Sequence, residues 1–357
     1  MGLRVGIPRA LWYYSYYPFW RTFFESLGAK VVDSGPTSRD TLNMGVDETV
    51  SEACVPIKVF VGHVKSLIKR WEKREIDAIF MPRYVNWSGR TVYCPKFLGL
   101  PDMIRYSFSD LPKLIEVRLD ARRRPLALLR ACNTIRKELG APRRLLLGAY
   151  VKALRTLHRH NELLRQGVSP LDSIASTAGG TSVNATSGKV AGETREDREA
   201  RDNRETPVIR LAVLGYPYLI YDRYVNLGLL DKLKNLGVEV ITAECVWPHL
   251  VQKEASKFIK NLFWTYSDMV AKAGYYFLDL DANEAKPEAH RIDGIIHITA
   301  FGCGPDAMVD KLLELKARQL SKPFLPLTLD EHTGEAGALT RLEAFVDMLK
   351  RRCMTAG

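Results

Sequence analysis

Short apolar runs alternate with longer amphipathic stretches along the chain, and the order is the same in both halves. In the first half, residues 3–8 (LRVGIP) predict a strand, an aromatic-rich helix follows as far as Gly28, and residues 30–33 (KVVD) predict a second strand. Glycine just past a helix is a common stop signal, and two parallel strands need a helical crossover. This part of the sequence therefore predicts a βαβ unit.

The second half repeats the unit. Residues 211–217 (LAVLGYP) predict a strand, a helix follows as far as Gly237, and residues 238–242 (VEVIT) predict the next strand. Later apolar runs at 77–82 and 293–299 add a strand to each half. We expect an α/β protein with two Rossmann-like parallel-sheet domains that face a shared interdomain cleft. Neither half carries a G-x-G-x-x-G turn or a P-loop, so an ordinary dinucleotide or P-loop site is not expected.

A change of composition separates the halves. No Phe, Tyr or Trp occurs between Tyr150 and Tyr216, and residues 176–206 are rich in Gly, Ser and Thr and then in mixed charge. Such a segment buries too little apolar surface to offset its ordering entropy. We therefore expect an N-terminal α/β domain with a basic helical extension over 1–168, a flexible linker or loop over 169–206, and a C-terminal α/β domain over 207–357.

The positive charge is concentrated in one segment. The net charge is +11, and residues 118–165 hold 13 Lys and Arg against three acidic residues. This segment is either a solvated helical face or a surface for phosphate-rich or acidic partners. No zinc finger or RNA-recognition signature accompanies it, which argues against sequence-specific nucleic-acid binding. No apolar run is long enough to cross a bilayer, and no signal-peptide pattern is present, so a cytoplasmic protein is expected.

The six cysteines fall into two groups. Cys54, Cys94 and Cys303 lie at loop or strand-end positions with Pro or Gly nearby, where backbone N–H groups can donate to sulfur, and Pro56 predicts a helix starting beside Cys54. Cys132 and Cys353 lie in helix-like or terminal segments, and Cys245 is ambiguous. No C-x-x-C pair occurs, and disulfides are not expected without a secretory signal. Burial as small apolar side chains is the alternative for every one of them.

Several motifs together resemble one known family. They are GIPRALWYYSYYPFWRTFFESLGAKVV, DETVSEACVPIKVFVGHV, FMPRYV, YCPKFLGLPDMIR, FGCGPDAMV and LDEHTGEAGALTRLEAFVDML. The chain resembles the CoA-enzyme activase-related (DUF2229) family, whose relatives are the 2-hydroxyacyl-CoA dehydratase subunits and the double-cubane cluster proteins. Carried over position by position, the resemblance implies that Cys54, Cys94 and Cys303 ligate an iron–sulfur cluster, either [4Fe–4S] or a double-cubane derivative.

The resemblance also implies a function and a partner. We expect an iron–sulfur protein that accepts low-potential electrons from an ATP-hydrolysing activator of the actin/Hsp70 superfold, for the reduction or dehydration of a small substrate. A non-catalytic electron-transfer or cluster-carrier module that docks an activator is the alternative. A homodimer or a related dehydratase-like subunit is a further partner to consider. On this hypothesis the three sulfurs converge on one cluster.

Residues near these motifs supply the remaining candidates. Lys58, Arg83 and Lys96 either provide positive charge around the cluster and a substrate anion or are surface charges. His332 and Glu335 are candidate proton donors in a loop before the last helix. Thr340 and Glu343 match a capping box, which predicts a helix start at that point.

Overall fold

The computed structural model describes residues 2–87, 91–122, 126–177, 208–246, 262–279 and 290–356. These residues form two compact units. Unit 1 comprises Met1–His160 with Leu262–Tyr266, and unit 2 comprises Asn161–Asn261 with Ser267–Gly357. Within the described residues, no helix has the length and apolar character needed to span a membrane.

The main sheet of unit 1 is parallel, with strand order β2-β1-β3-β5. Its strands are β1 (Arg4–Ile7), β2 (Lys30–Asp33), β3 (Ala78–Phe80) and β5 (Lys113–Ile115). A second, two-stranded parallel ladder pairs β4 (Arg83–Asn86) with β6 (Arg118–Asp120). The helices are α1 (Tyr13–Ser26), α2 (Arg39–Asp47), α3 (Val55–Glu72), α4 (Pro95–Ser107), α5 (Ala127–Glu138) and α6 (Leu145–Arg165), the last of which continues into unit 2.

The sheet of unit 2 is also parallel, with strand order β10-β9-β7-β8. Its strands are β7 (Arg210–Gly215), β8 (Glu239–Thr242), β9 (Gly294–Ala300) and β10 (Phe324–Leu329). Beyond α6, the chain forms α7 (Pro170–Thr177), α8 (Pro217–Ile220), α9 (Leu229–Asn235), a single 3₁₀ turn (Ala243–Cys245), α10 (Thr265–Leu278), α11 (Gly304–Gln319) and α12 (Glu335–Ala356).

The predicted fold class is therefore confirmed. In both units the first strand lies between the second and the third strand of the sheet. The chain therefore moves across the sheet in one direction to reach the second strand and in the opposite direction to reach the third, and the switch point lies between the first and third strands. Ligands of open α/β sheets bind at such a switch point, beyond the carboxyl ends of the strands. In unit 2 the switch point lies between β7 and β9, and Tyr216 and Cys303 follow these two strands. The shared interdomain cleft stays a prediction.

The glycines that end the last helix before the second strand of each sheet behave as expected. Gly28 follows α1 with φ of 86°, and Gly237 follows α9 with φ of 75°. An L-residue with a side chain rarely adopts this left-handed conformation, which is why Gly ends these helices. Both residues lead directly into the second strand of their sheet, so the predicted βαβ units are formed.

Parts of the other sequence predictions lie outside the described residues. The first residues of the predicted linker over 169–206 form α7, and residues 178–206 are not described. The basic segment over 118–165 forms β6, α5 and α6, except for residues 123–125, which are not described. Within it, the guanidinium groups of Arg118 and Arg122 both pair with the carboxylate of Asp120.

Candidate functional site

Each of the three motif cysteines stands directly before a helix. Cys54 precedes α3, Cys94 precedes α4 and Cys303 precedes α11. A proline lies at the first or second position of each helix, where a missing N–H breaks no helical hydrogen bond. The free N–H groups and the positive end of the helix dipole favour a thiolate at this position. The prediction that a helix begins beside Cys54 is confirmed.

Cys54 and Cys94 share a neighbour in unit 1. Nζ of Lys96 lies 3.4 Å from Sγ of Cys54, and the backbone N–H of Lys96 donates a hydrogen bond to the Cys94 sulfur. Burial raises the pKa of the Cys94 thiol, and the negative charge of Cys54 acts in the same direction, while Lys96 opposes both. The two sulfurs are therefore close enough to repel each other as thiolates, and a bound cation would relieve that repulsion.

Cys303 lies at the switch point of unit 2, in contact with a buried phenol. The hydroxyl of Tyr216 is hydrogen-bonded to Cys303 and lies 2.7 Å from Oγ of Ser267. Burial raises the pKa of Tyr216, and the negative charges of Asp306 and Cys303 add to the rise. Tyr216 is therefore a neutral hydrogen-bond donor beside Cys303. Sequence reasoning did not select it, although its place directly after β7 marks the strand end.

The other three cysteines have different surroundings. Cys132 in α5 and Cys245 at the 3₁₀ turn are buried, and burial raises the pKa of both thiols. Cys353 lies within the last turns of α12, and burial raises its pKa too. Cys54, Cys94 and Cys303 are only half-buried, as Cys353 is. A position before a helix thus distinguishes the motif cysteines from the rest of the described cysteines.

The motif cysteines are divided between the two units. Cys54 and Cys94 belong to unit 1 and Cys303 belongs to unit 2. In the part of the chain that the structure describes, no group of three or more His, Cys, Asp or Glu side chains is arranged to hold a metal ion. The convergence of the three sulfurs stays a prediction.

Comparison with protein families identifies the family. A family model described as the CoA enzyme activase uncharacterised domain (DUF2229) matches residues 4–246, more than half of the chain. The chain belongs to this family. The resemblance seen in the sequence motifs is thereby confirmed. The matched residues include Cys54 and Cys94, and Cys303 lies beyond them. A search of curated proteins found no match.

In this CoA enzyme activase-related chain, the three candidate cations have different environments. Lys96 lies beside Cys54 and Cys94. Lys58 is buried in α3, one turn after Cys54, and its Nζ donates to the backbone oxygen of Ser51 at 2.9 Å. Arg83 pairs with the carboxylates of Asp102 and Glu116 at 2.5 and 2.9 Å. Of the three, Lys96 is the one with a described contact to a motif cysteine.

The two candidate proton donors lie at the surface of unit 2. The side chain of His332 is 85% exposed, and its backbone N–H donates to Asp330 at 2.9 Å. The carboxylate of Glu335 is 67% exposed and pairs with Nζ of Lys232 at 2.7 Å, which lowers the pKa of Glu335. Their role as proton donors stays a prediction. The predicted loop is shorter than expected, because α12 begins at Glu335 and not near Thr340.

A buried charged cluster in the CoA enzyme activase-related fold was missed by sequence reasoning. The side chain of His297 in β9 lies between Asp306 and Asp310 of α11, with Nδ1 2.8 Å from Oδ1 of Asp310 and Nε2 3.5 Å from Oδ1 of Asp306. Burial alone would lower the pKa of His297, but the two carboxylates outweigh it and raise it to about 9. The available signal was a single His inside the apolar strand GIIHITA.

Proposed function

We propose that the protein is an iron–sulfur protein of the 2-hydroxyacyl-CoA dehydratase type, with Cys54, Cys94 and Cys303 as cluster ligands. The observation that carries the proposal is the shared position of these three cysteines, each directly before a helix whose first turn contains a proline. The proximity of Cys54 and Cys94 in unit 1 adds to it. Family membership supports the proposal at the coarser level of a CoA enzyme activase-related protein.

The donor set suits this cofactor. Iron–sulfur clusters are held by cysteine thiolates, and a helix N-terminus offers backbone N–H groups and a positive field that favour the ionised thiol. Lys96 supplies a cation 3.4 Å from Cys54 and an N–H to Cys94, so it offsets negative charge at both ligands. A bound cluster would supply one-electron transfer, and three protein ligands would leave one iron open to another ligand.

The resemblance supports an ATP-hydrolysing activator of the actin/Hsp70 superfold as the electron donor, and a small molecule as the acceptor. In unit 2, Tyr216 holds a proton on its hydroxyl beside Cys303, since burial keeps the phenol neutral. By donating a hydrogen bond to the sulfur, the Tyr216 hydroxyl would stabilise Cys303 as a thiolate ligand. Cytoplasmic location follows from the same proposal, because the donor hydrolyses ATP.

One observation favours a second candidate function, a non-catalytic electron-transfer or cluster-carrier module. The candidate proton donors His332 and Glu335 are largely exposed to solvent. A general acid is effective when it is held near the reacting group and shielded from water. Electron passage through the protein needs no such group. Turnover of a substrate with activator and ATP separates the two functions.

The test is iron and sulfide content after anaerobic purification and reconstitution. We expect brown protein with broad absorption near ~400 nm in the wild type. Cys54→Ser, Cys94→Ser and Cys303→Ser should each lose most of the iron, whereas Cys353→Ser, a change at a half-buried cysteine within a helix, should keep it. Colourless, iron-free wild type or equal iron in all four variants would contradict the proposal.

A further inference from the structure

A cavity of about 550 Å³ lies in unit 2, beside the carboxyl end of β8. One of its walls is the sheet itself. Val240 and Thr242, which share a face of β8, line the cavity, as do Glu239 and the preceding Val238, whereas Ile241 is buried without lining it. Cys303 is not among the lining residues, so this cavity is separate from the residues proposed to hold a cluster.

The opposite wall is the turn between α6 and α7. Gly167, with φ of 79°, ends α6, and the N–H of Val168 donates to the backbone oxygen of Leu163 at 3.0 Å. The left-handed conformation of Gly167 ends the helix and turns the chain, and Leu164, Val168 and Leu171 line the cavity together. The walls on both sides of the space are therefore mainly aliphatic.

Polar groups gather where β8 ends. Tyr221 and Thr242 line the cavity, and their hydroxyls lie 2.8 Å apart. The Tyr221 hydroxyl also donates to Oε2 of Glu244 at 3.1 Å. The other carboxyl oxygen of Glu244 is shielded from solvent and has no hydrogen-bond partner. Glu244 is not among the lining residues, so Tyr221 and Thr242 are the residues that present hydroxyls to the cavity at this end.

The charged lining residues are already paired or exposed. Arg223 pairs with Asp231 at 2.8 Å, and Glu239 pairs with Arg210 at 2.8 Å. Asp172 accepts a hydrogen bond from Ser169 at 2.7 Å, and Lys234 is exposed. An exposed charge contributes about 0–1 kcal/mol to an ion pair, less than a buried charged head group loses on leaving water. Among the described residues that line it, the cavity therefore offers no strong countercharge.

We propose that this cavity binds a small, neutral, mainly apolar molecule whose head group both donates and accepts a hydrogen bond, as a primary amide or an alcohol does. The volume lies within the ordinary range for ligand pockets. The apolar part contacts the aliphatic walls, and the head group meets the hydroxyls of Tyr221 and Thr242.

Protonation of the polar end agrees with a neutral ligand. Burial raises the pKa of Tyr221 well above 10, so the phenol that lines the cavity is uncharged near neutral pH. Burial raises the pKa of Glu244 as well. An uncharged phenol attracts neither a cation nor an anion strongly. The inference does not depend on the proposed cluster, since it uses other residues of unit 2.

The experiment is a calorimetric or NMR titration of the full chain with four six-carbon probes: hexanamide, hexan-1-ol, hexanoate and hexylammonium. We expect the two neutral probes to bind at least about tenfold more tightly than the two charged ones, the ratio that 1.4 kcal/mol gives. Tyr221→Phe and Thr242→Val should each weaken hexanamide about fivefold, as loss of one hydrogen bond predicts. Tyr224→Phe, at a tyrosine three residues away that does not line the cavity, should leave binding unchanged.

Two variants that fill the space complete the test. Val240→Phe and Leu171→Trp should abolish hexanamide binding while the thermal midpoint of unfolding stays near that of the wild type, and either one suffices if the other does not fold. The proposal is overturned if neither neutral probe binds at a concentration of about 10 mM, at which even a weakly bound ligand of this small size is detected. It is also overturned if charged and neutral probes bind equally, or if a folded, filled variant still binds hexanamide.

Discussion

Nδ1 of His297 lies 2.8 Å from Oδ1 of Asp310 in the interior of unit 2, and Asp306 approaches the other ring nitrogen at 3.5 Å. The strand β9 contributes the imidazole and one face of α11 contributes both carboxylates, which are three and seven residues after Cys303. Burial disfavours the protonated imidazole, but the attraction of the two carboxylates is larger than this cost, and the pKa of His297 is about 9. This contact joins the core of unit 2 to the helix that begins beside Cys303.

The same contact predicts how stability changes at alkaline pH. The pKa of His297 is about 9 in the folded chain, against about 6.5 in an unfolded chain. The resulting stabilisation is fully present below about pH 6.5 and is lost as the pH rises through about 9, and it amounts to about 3 kcal/mol. We expect His297→Gln to remove this loss in urea unfolding curves measured across that range. His332→Gln, at an exposed histidine, should keep it; an unchanged slope in His297→Gln would contradict the prediction.

A second buried histidine predicts the behaviour at acidic pH. His63 in α3 is fully buried, with ring nitrogens 2.8 and 2.9 Å from the hydroxyls of Ser34 and Thr37. Burial lowers the pKa of His63 to about 3, with a smaller effect from Arg9. Because an unfolded histidine takes up a proton near pH 6.5, His63 alone lowers stability by about 5 kcal/mol as the pH drops from 6.5 towards 3. The buried His160, whose pKa burial lowers to about 4, adds to this fall.

His63→Gln should make the fall in stability between pH 6.5 and pH 3 less steep. His158→Gln, at an exposed histidine, should leave that fall unchanged.

Close packing of α2 on α3 supports the helix that carries Cys54. A methyl group at Gly45 would overlap the backbone oxygen of Lys58, and one at Gly62 would overlap the backbone oxygen of Thr41. Backbone atoms cannot move aside as side chains do, so Gly45→Ala and Gly62→Ala should each lower the free energy of unfolding by about 3 kcal/mol.

The matched control is Gly99→Ala in α4, where an added methyl group meets no atom within 4 Å. Alanine is about 1 kcal/mol better than glycine within a helix, so this variant should be as stable as the wild type or more so. Equal unfolding midpoints for all three alanine variants in denaturant titrations would contradict the prediction, because they would show that α2 and α3 can move apart at little cost in stability.

Lys96 predicts an electrostatic effect on the proposed cluster. A positive charge beside a ligand stabilises the reduced form, which carries one more negative charge. Lys96→Gln should therefore shift the reduction potential to more negative values in anaerobic titrations monitored by absorption. Lys73→Gln, at the opposite end of α3 from Cys54, is the control and should leave it unchanged. A potential shifted equally by both changes, or by neither, would place Lys96 outside the field of the cluster.

Local sequence signals predicted the elements best. The second strand was predicted at residues 30–33, as observed, and the strands near residues 210 and 239 were off by one or two residues. Gly28 and Gly237 were recognisable because a residue with left-handed backbone conformation just after a helix is usually glycine. The helices beside Cys94 and Cys303 carry the same sequence signal as the one beside Cys54, a Cys followed closely by Pro.

Non-local contacts could not be predicted in this way. The β4–β6 ladder pairs two strands of only four and three residues, and each is too short to show an apolar pattern of its own. The pairing of His297 with Asp306 and Asp310 depends on α11 packing against β9, which the sequence of either element does not specify. The capping-box prediction at Thr340 was wrong: the helix already runs through it, and the Thr340 hydroxyl donates to the backbone oxygen of Ala336 at 3.0 Å.

The most direct test of the central claim is the position of iron in anaerobically grown crystals of the full chain, located by anomalous diffraction at the iron absorption edge. The account predicts one compact group of iron peaks within bonding distance of the sulfurs of Cys54, Cys94 and Cys303 together. Iron bound elsewhere, or a reconstituted protein whose Cys303 sulfur lies more than about 12 Å from the other two with no iron between them, would contradict it.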